Sequence, residues 1–281
     1  MAITAEMVRD LREKTGAGMM ECKKALNESE GDLERAMQLL RERGQAVAAK
    51  REGKVASEGI VYAHIRHDDQ VGVLVELNCE TDFVARTDDF QNLAYQVAEY
   101  IEERPEASVE EVQADPAIQN GFNEKVAKLG ERIVLKRATV FQGGPEHVVS
   151  AYIHTGGKIG VMVEGEAGAG TNREEAKALL RDIAMHISFA KPSYLNRDEI
   201  PADVIAREKE IHETWARNEG KPEAALPKIV QGRLEKQLFQ ENVLLDQLFV
   251  RDQDKTIQAV INEHPAQVTL TRFARMRVGE E

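Results

Sequence analysis

The sequence has little cysteine, few aromatic residues and no long apolar run. Its two cysteines, Cys22 and Cys79, lie far apart and form no C-x-x-C pair, which argues against a disulfide framework and favours free thiols in a reducing compartment. No stretch approaches the roughly 20 apolar residues of a membrane-spanning helix. The first residues, MAITAEMVRD, lack the apolar segment of a secretory signal. We therefore expect a cytoplasmic protein that does not enter a membrane.

Composition narrows the classes of protein further. Aromatic residues make up 5% and hydrophobic residues 42% of the 281 residues, so the cores should be aliphatic and the chain can form two or three small domains. The net charge of −12 repels phosphate backbones, which argues against direct nucleic-acid binding. Arg272, Arg275 and Arg277 form a local basic cluster, which we interpret as the solvated face of a strand.

The sequence motifs of common enzymes are missing as well. No P-loop, no G-x-S-x-G and no H-E-x-x-H occurs. The glycine-rich segment GEAGAGTN (165–172) has the spacing G-x-x-G-x-G, which we interpret as a flexible turn rather than a nucleotide site. Glu80 and Asp82 could pair as general acid and base, but acids in a polar loop are usually solvated. We expect no enzymatic reaction, no cofactor and no metal site.

The N-terminal region is predicted to form three short helices. Thr4 can cap the first helix, and the glycines of TGAGMM (15–20) should end it. Asp32 can cap the third helix, and Gly44 suits the left-handed residue that ends a helix. Residues 45–59 are polar and predict a partly helical linker. A bundle of this size is typical of a recognition module rather than a catalytic scaffold.

Two copies of one pattern follow the linker. The matching pairs are IVYAHI (60–65) with VVSAYI (148–153), VGVLVE (71–76) with IGVMVE (159–164), FQNLAYQVAEYI (90–101) with AKALLRDIAMHI (176–187), and IVLKRATV (133–140) with VTLTRFAR (268–275). The paired strands are separated by 88 residues in both hairpins. The patterns predict two related units, each a three-stranded antiparallel sheet with helices on one face, and hence an α+β fold.

A helical hairpin at about 196–240 is predicted to interrupt the second copy. Its apolar seams are Val204, Ile211 and Trp215 on the first helix, and Leu226, Val230 and Leu234 on the second. Pro227 should kink the returning helix or delay its start. We accordingly divide the chain into a helical module with its linker (1–54), a first unit (55–142) and a second unit (143–281) that carries the hairpin.

The two units differ in the loop that joins the second strand to the helix. The first unit has LNCETDFVARTDD (77–89), whereas the second has the polar loop GEAGAGTNREE (165–175). Because the fold does without an aromatic residue in the second loop, Phe83 is a candidate for contact with a partner. The alternative is that Phe83 fills a gap peculiar to the first unit.

Three further residues are candidates for partner contact. Met19 and Met20 are predicted to lie in the turn after a glycine rather than in a helical stripe, and exposed methionines suit partner surfaces. The alternative, that one of them closes the core of the small bundle, is equally open. His154 ends a strand just before TGGK and could face a partner, although a lone histidine is more often structural.

In five segments the chain resembles the bacterial translation elongation factor Ts family, the exchange factors for the GTPase EF-Tu. The segments are LREKTGAGMMECKKAL (11–26), NCETDFVAR (78–86), GERIVLKR (130–137), IAMHISFAKP (183–192) and GKPEAALPKIVQGR (220–233). Together they span nearly the whole chain. The resemblance implies an N-terminal module similar to ubiquitin-associated (UBA) domains, two α+β subdomains and an inserted helical hairpin. The chain departs from the family pattern at Glu80, where glutamine is usual, and at Pro227.

The resemblance also implies a set of contact residues. The wedge that enters the GTPase near its Mg²⁺ and phosphates would be Thr81, Asp82, Phe83 and Val84. The N-terminal module would hold the nucleotide domain through Arg12, Met19, Met20 and Lys23, and His154 would touch another domain. We therefore predict a guanine nucleotide exchange factor that binds GDP-bound and nucleotide-free EF-Tu. The alternative is a non-catalytic adaptor that binds peptides through its helical module.

Overall fold

The computed structural model describes residues 3–168 and 170–280, and its first three helices form a small bundle. They are α1 (Ala5–Thr15), α2 (Met19–Glu28) and α3 (Leu33–Arg51). The hydroxyl of Thr4 accepts the backbone N–H of Met7 at 3.2 Å, and the carboxylate of Asp32 accepts that of Arg35 at 3.0 Å. Both predicted N-caps are confirmed.

The prediction that Gly44 ends the third helix is wrong. Helix α3 continues through this glycine to Arg51, so half of the predicted linker is regular helix. A Cβ atom on Gly44 would lie 3.3 Å from the carbonyl oxygen of Asn123 and 3.8 Å from the Cβ of Ala127. The glycine therefore serves close helix packing rather than helix termination, and it lets α3 lie against residues of the first unit.

The first unit is a three-stranded antiparallel sheet with helices on one face. Its strands are β1 (Glu58–Ile65), β2 (Val71–Cys79) and β3 (Ile133–Gln142), in that spatial order. Its helices are α4 (Asp82–Ala85), α5 (Asp88–Glu102), α6 (Val109–Ala114) and α7 (Pro116–Leu129). Every residue of β2 is buried, because the helices cover one face of the sheet and the second unit covers the other.

The second unit repeats this plan. Its strands β4 (His147–Ile153), β5 (Ile159–Ala167) and β8 (Val268–Arg277) form an antiparallel sheet in that order, and α8 (Arg173–Ala190) packs on it. Between α8 and β8 lie the hairpin and then β6 (Leu248–Phe249), β7 (Asp252–Thr256) and α12 (Ile257–Glu263). The predicted α+β class is confirmed.

The two sheets pack face to face in an approximately two-fold arrangement. Their shared core consists of Val61, Leu74, Phe141, Val149, Met162 and Met276. The backbone N–H of Val61 donates to the carbonyl of Gly157 at 2.7 Å, and that of Val149 donates to the carbonyl of Asp69 at 2.8 Å. These two bonds join equivalent positions, since Val149 and Gly157 each lie 88 residues after Val61 and Asp69. Each hairpin turn therefore pairs with the first strand of the other unit.

A buried carboxylate pairs with an arginine at the same place in each sheet. Glu76 on β2 accepts Nε of Arg137 at 2.7 Å, and Glu164 on β5 accepts Nε of Arg272 at 2.7 Å. Although burial alone would raise the pKa of the Glu164 carboxyl, hydrogen bonds from Arg272 and Thr271 hold it below its usual value. The two pairs keep a charged residue in the middle of each central strand.

As the sequence predicted, Arg272 and Arg277 on β8 are exposed to solvent, whereas Arg275 is partly buried. Arg272 is paired with Glu164, and both Arg275 and Arg277 contact the carboxylate of Glu280, at 2.6 and 3.4 Å. The two carboxylates balance two of the three positive charges, so the cluster offers little attraction to a phosphate backbone.

The helical hairpin consists of α9 (Ala202–Asn218) and the returning helix α10 (Leu226–Arg233), which continues as a π-helical turn (Leu234–Phe239) and α11 (Gln240–Asn242). The predicted seam of the returning helix is confirmed, since Leu226, Val230 and Leu234 are buried. Pro227 lies in the first turn of α10, where its missing N–H leaves no bond unmade. The returning α-helix begins only at Leu226, which confirms the predicted delay of its start.

The predicted seam of α9 is confirmed at Val204, which packs on the hairpin core, but is wrong by one residue further along the helix. His212 and Ala216 are buried, whereas Ile211 and Trp215 are 50% and 36% exposed. The guanidinium of Arg233 stacks on the Trp215 ring at 3.8 Å from its centroid, so a cation–π contact holds the indole at the surface. Among the residues that the structure describes, no helix is both long and apolar enough to cross a membrane.

Candidate functional site

The loop after β2 is held in place from inside the first unit. Thr81 caps the short helix α4, with its hydroxyl accepting the backbone N–H of Val84 at 3.4 Å. Val84 and Ala85 are buried in the core beneath the sheet. In the free chain the side chains of Thr81 and Val84 thus point towards the protein and support the loop, while their contact with a partner stays a prediction.

Phe83 points away from this support. Its side chain is 79% exposed, so it does not fill a gap of the first unit, and the alternative considered for it is wrong. Its neighbour Asp82 forms an ion pair with Arg86 at 2.7 Å. The loop therefore presents a large aromatic ring beside a carboxylate whose charge is partly balanced.

A second carboxylate clamps the start of the loop. Oε2 of Glu131 accepts the backbone N–H of Glu80 at 3.1 Å and that of Thr81 at 2.9 Å, and Oε1 accepts the Thr81 hydroxyl at 2.6 Å. In return, the carboxylate of Glu80 accepts the backbone N–H of Arg132 at 2.7 Å and the guanidinium of Arg51 at 3.1 Å. Glu80 is therefore a bonded structural residue, which corrects the expectation that it is solvated.

The thiol of Cys79 belongs to the same support. It is fully buried and donates to the carbonyl of Thr81 at 3.1 Å. Burial, reinforced by the negative charge of Glu131, raises the pKa of Cys79 to about 12. Burial also raises the pKa of Cys22 in the N-terminal bundle. Both cysteines are free, and their environments favour packing over redox chemistry.

We expect both thiols to resist modification in the folded protein. At pH 8 the native chain should react with a thiol-specific chromogenic disulfide at a small fraction of the rate seen in denaturant, because neither thiolate forms readily. Absorbance would be followed with and without urea. Rapid release of one equivalent of chromophore from the native chain would contradict this expectation, and a Cys79→Ser variant would identify the thiol involved.

The four candidates of the N-terminal module surround one groove. Arg12, Met19, Met20 and Lys23 line an apolar depression of about 560 Å³ together with Ile3, Thr4, Ala5, Val8 and Arg9. Met19 and Met20 are 59% and 72% exposed, so neither closes the core of the bundle. They are the first two residues of α2 and not part of the preceding turn, which corrects the sequence interpretation.

His154 is exposed in the turn between β4 and β5. Its Nδ1 lies 3.1 Å from the hydroxyl of Tyr152. The rest of this turn reaches the loop of the first unit, since Lys158 borders a groove of about 420 Å³ together with Asp82 and Arg86. The structure therefore brings the Phe83 loop and the His154 turn to one corner of the molecule, while the N-terminal groove is lined by different residues.

The comparison with protein families agrees with the sequence motifs. The family model described as Elongation factor TS matches residues 80–280. A protein of Trichlorobacter lovleyi named Elongation factor Ts is 42% identical over 295 aligned positions, which cover 100% of this chain and 94% of that protein. The Elongation factor Ts of Prosthecochloris aestuarii is 43% identical over 290 positions, with 99% of both chains covered.

The chain belongs to the elongation factor Ts family. The resemblance predicted from its motifs is confirmed, and the protein is a translation elongation factor. The matched range begins at Glu80 and so includes the Phe83 loop, the His154 turn and Glu131.

Sequence reasoning missed the residues that hold this elongation factor Ts loop in place. Glu131, Arg132 and Arg51 all contact residues 80–81. They are 29 to 52 residues away in sequence, so no local spacing connects them to the loop. Within residues 3–168 and 170–280, no group of three or more histidine, cysteine or acidic side chains could hold a metal ion.

Proposed function

We propose that this chain is a guanine nucleotide exchange factor for the translation GTPase EF-Tu and that it acts by binding in the cytoplasm. The observation that carries the proposal is the 79% exposed ring of Phe83 on a loop fixed from behind. An exposed aromatic of this kind recovers roughly 1.5–3 kcal/mol when a partner buries it. Membership of the elongation factor Ts family supports EF-Tu as that partner.

The mechanism that we propose uses binding energy alone. A GTPase holds GDP through Mg²⁺ and the amides around its phosphates. An exchange factor binds the nucleotide-free GTPase more tightly than the GDP-bound GTPase. By thermodynamic linkage, it must then weaken the affinity for GDP by the same ratio. Phe83 would enter between two helices beside this site and move the groups that hold Mg²⁺. Since Asp82 is paired with Arg86, repulsion of the phosphates by Asp82 would contribute less than the displacement caused by the ring.

The other surfaces would supply affinity. The apolar groove of the helical module, for which we propose a UBA-like fold, would hold the nucleotide domain through Met19, Met20, Arg12 and Lys23. His154 would touch another domain of the GTPase. The net charge of −12 and the ion-paired arginines of β8 support binding to protein rather than to nucleic acid.

Release of GDP from EF-Tu tests this function directly. EF-Tu loaded with fluorescent GDP would be mixed with excess unlabelled GDP, with and without the chain, in a stopped-flow instrument. We expect the chain to accelerate release in a saturable way. The complex recovered by pull-down should also be depleted of nucleotide. Binding with unchanged release and a full complement of GDP would favour the adaptor alternative, in which the helical module merely tethers a partner.

A further inference from the structure

Glu131 holds the loop that carries Phe83 from a rigid position. Helix α7 ends at Leu129, Gly130 follows in the left-handed conformation with φ of 74°, and β3 begins at Ile133. Glu131 therefore lies in a tight connection between two regular elements. Its carboxylate accepts all three of its hydrogen bonds from Glu80 and Thr81, the residues that lead into α4.

The contact extends the sheet beyond the end of its strands. Cys79 and Ile133 are the last paired residues of β2 and β3. Beyond this pair, hydrogen bonds from backbone N–H groups to side-chain carboxylates replace the backbone pairing. Glu131 accepts the N–H groups of residues 80 and 81, and Glu80 accepts the N–H of Arg132 at 2.7 Å. Hydrogen bonds between a carboxylate and backbone N–H groups are stronger than neutral ones. The loop is thus tied to β3 in both directions.

The second unit lacks the clamp, by which we mean the three hydrogen bonds from Glu80 and Thr81 to the carboxylate of Glu131. Where Ile133 of the first unit matches Val268 of the second, Glu131 matches Ala266. The side chain of Ala266 offers no acceptor, and the N–H of Gly168, which aligns with Glu80, donates instead to the backbone carbonyl of Gln267 at 3.1 Å. The loop of the second unit also carries no aromatic residue. The side-chain clamp and the exposed ring therefore occur together in one unit and are both missing from the other.

We propose that Glu131 is a positioning residue for Phe83, and this inference rests on the exchange function proposed above. In the free chain the exposed ring of Phe83 makes few contacts that could fix its orientation. Its direction depends on α4, whose capping residue Thr81 is held by Glu131. Loss of the clamp would leave the binding surfaces intact but reduce the fraction of complexes in which the ring enters the GTPase. The maximal rate of GDP release would fall, while the affinity of the factor would change little.

Three variants test this inference in the stopped-flow assay. Glu131→Ala should lower the maximal release rate at saturating factor about tenfold, with the half-saturating concentration changed by less than about threefold. Glu131→Gln should retain most of the rate, since the amide oxygen can still accept both N–H groups. Thr81→Val removes the hydroxyl partner with little change in volume and should give an intermediate rate, which keeps the test valid if Glu131→Ala folds poorly.

A matched control and a double variant complete the experiment. Glu199 also accepts a backbone N–H, from Leu195 at 2.7 Å, but it lies in the second unit. With the Glu199→Ala variant, EF-Tu should therefore release GDP at the rate seen with the wild-type factor. In a Phe83→Ala background, Glu131→Ala should cause no further loss if it acts only through the ring. A normal maximal rate for Glu131→Ala beside an impaired Phe83→Ala would overturn this inference alone. A normal rate for Phe83→Ala would overturn the proposed wedge as well.

Discussion

Replacing Phe83 with alanine should lower the maximal rate of GDP release from EF-Tu by about 10- to 100-fold, because the roughly 1.5–3 kcal/mol gained by burying the ring would be lost. The rate would be measured by stopped-flow fluorescence at saturating concentrations of the variant. Since the ring is 79% exposed in the free chain, the free energy of unfolding should stay within about 0.5 kcal/mol of wild type. Lost activity would then report on the complex and not on misfolding.

The chain offers a matched control for this substitution. Phe189 is 75% exposed at the end of α8 in the second unit, so Phe189→Ala removes a similar ring from a different place and should leave release unchanged. A Met19→Ala/Met20→Ala variant should instead raise the half-saturating concentration several-fold with little effect on the maximal rate. Unchanged maximal stimulation by Phe83→Ala, or an equal loss in Phe189→Ala, would refute the wedge.

Arg137→Ala should destabilise the folded chain by about 3 kcal/mol, which is the lower end of the range for breaking a buried ion pair. Glu76 is 1% exposed, and Arg137 supplies its ion-pair partner at 2.7 Å. Removing the guanidinium leaves a buried carboxylate with one long bond, from the N–H of Gly279 at 3.4 Å. We choose the lower end because the Arg137 side chain remains 29% exposed to solvent. The free energy of unfolding would be measured by urea denaturation.

Two further variants separate the charge effect from lost packing. Arg207 pairs with Asp203 at the surface of α9, with both side chains mostly exposed, so Arg207→Ala should cost less than about 0.5 kcal/mol. Replacing Glu76 and Arg137 together with methionine should recover most of the stability lost in Arg137→Ala. A double variant as unstable as the single one would show that packing, rather than an unpaired charge, dominates.

The sheets and the exposed aromatic could be predicted because both leave a pattern in the sequence. The repeated apolar runs, two of them separated by 88 residues, predicted a three-stranded antiparallel sheet in each unit. The contrast between the two loops singled out Phe83, which is exposed. In each case the information is local or is repeated at a fixed distance, and no knowledge of long-range contacts was needed.

The remaining features depend on contacts between distant segments. From the sequence alone Gly44 is interpreted as the end of a helix, because its close contact with the backbone of Asn123 is not visible there. The hairpin seam contains His212 instead of Ile211, and Arg233 on the returning helix stacks on Trp215 at the surface. Glu131 carries no local sign that its carboxylate reaches residues 80 and 81. These contacts join residues that are far apart in sequence, so they can be identified only from the folded structure.

The approximate two-fold arrangement of the units builds the same corner twice. In one corner the His154 turn meets the Phe83 loop and leaves an open groove. In the equivalent corner the turn at 66–70 meets the start of α8, where Lys177 binds Asp69 at 2.6 Å and Arg173 donates to the carbonyl of Asp68 at 3.0 Å. One corner is thus closed by bonds from α8 to the opposite turn, whereas the other keeps an open groove beside the Phe83 loop. Under the function proposed above, the duplicated scaffold would offer one such corner to the GTPase rather than two.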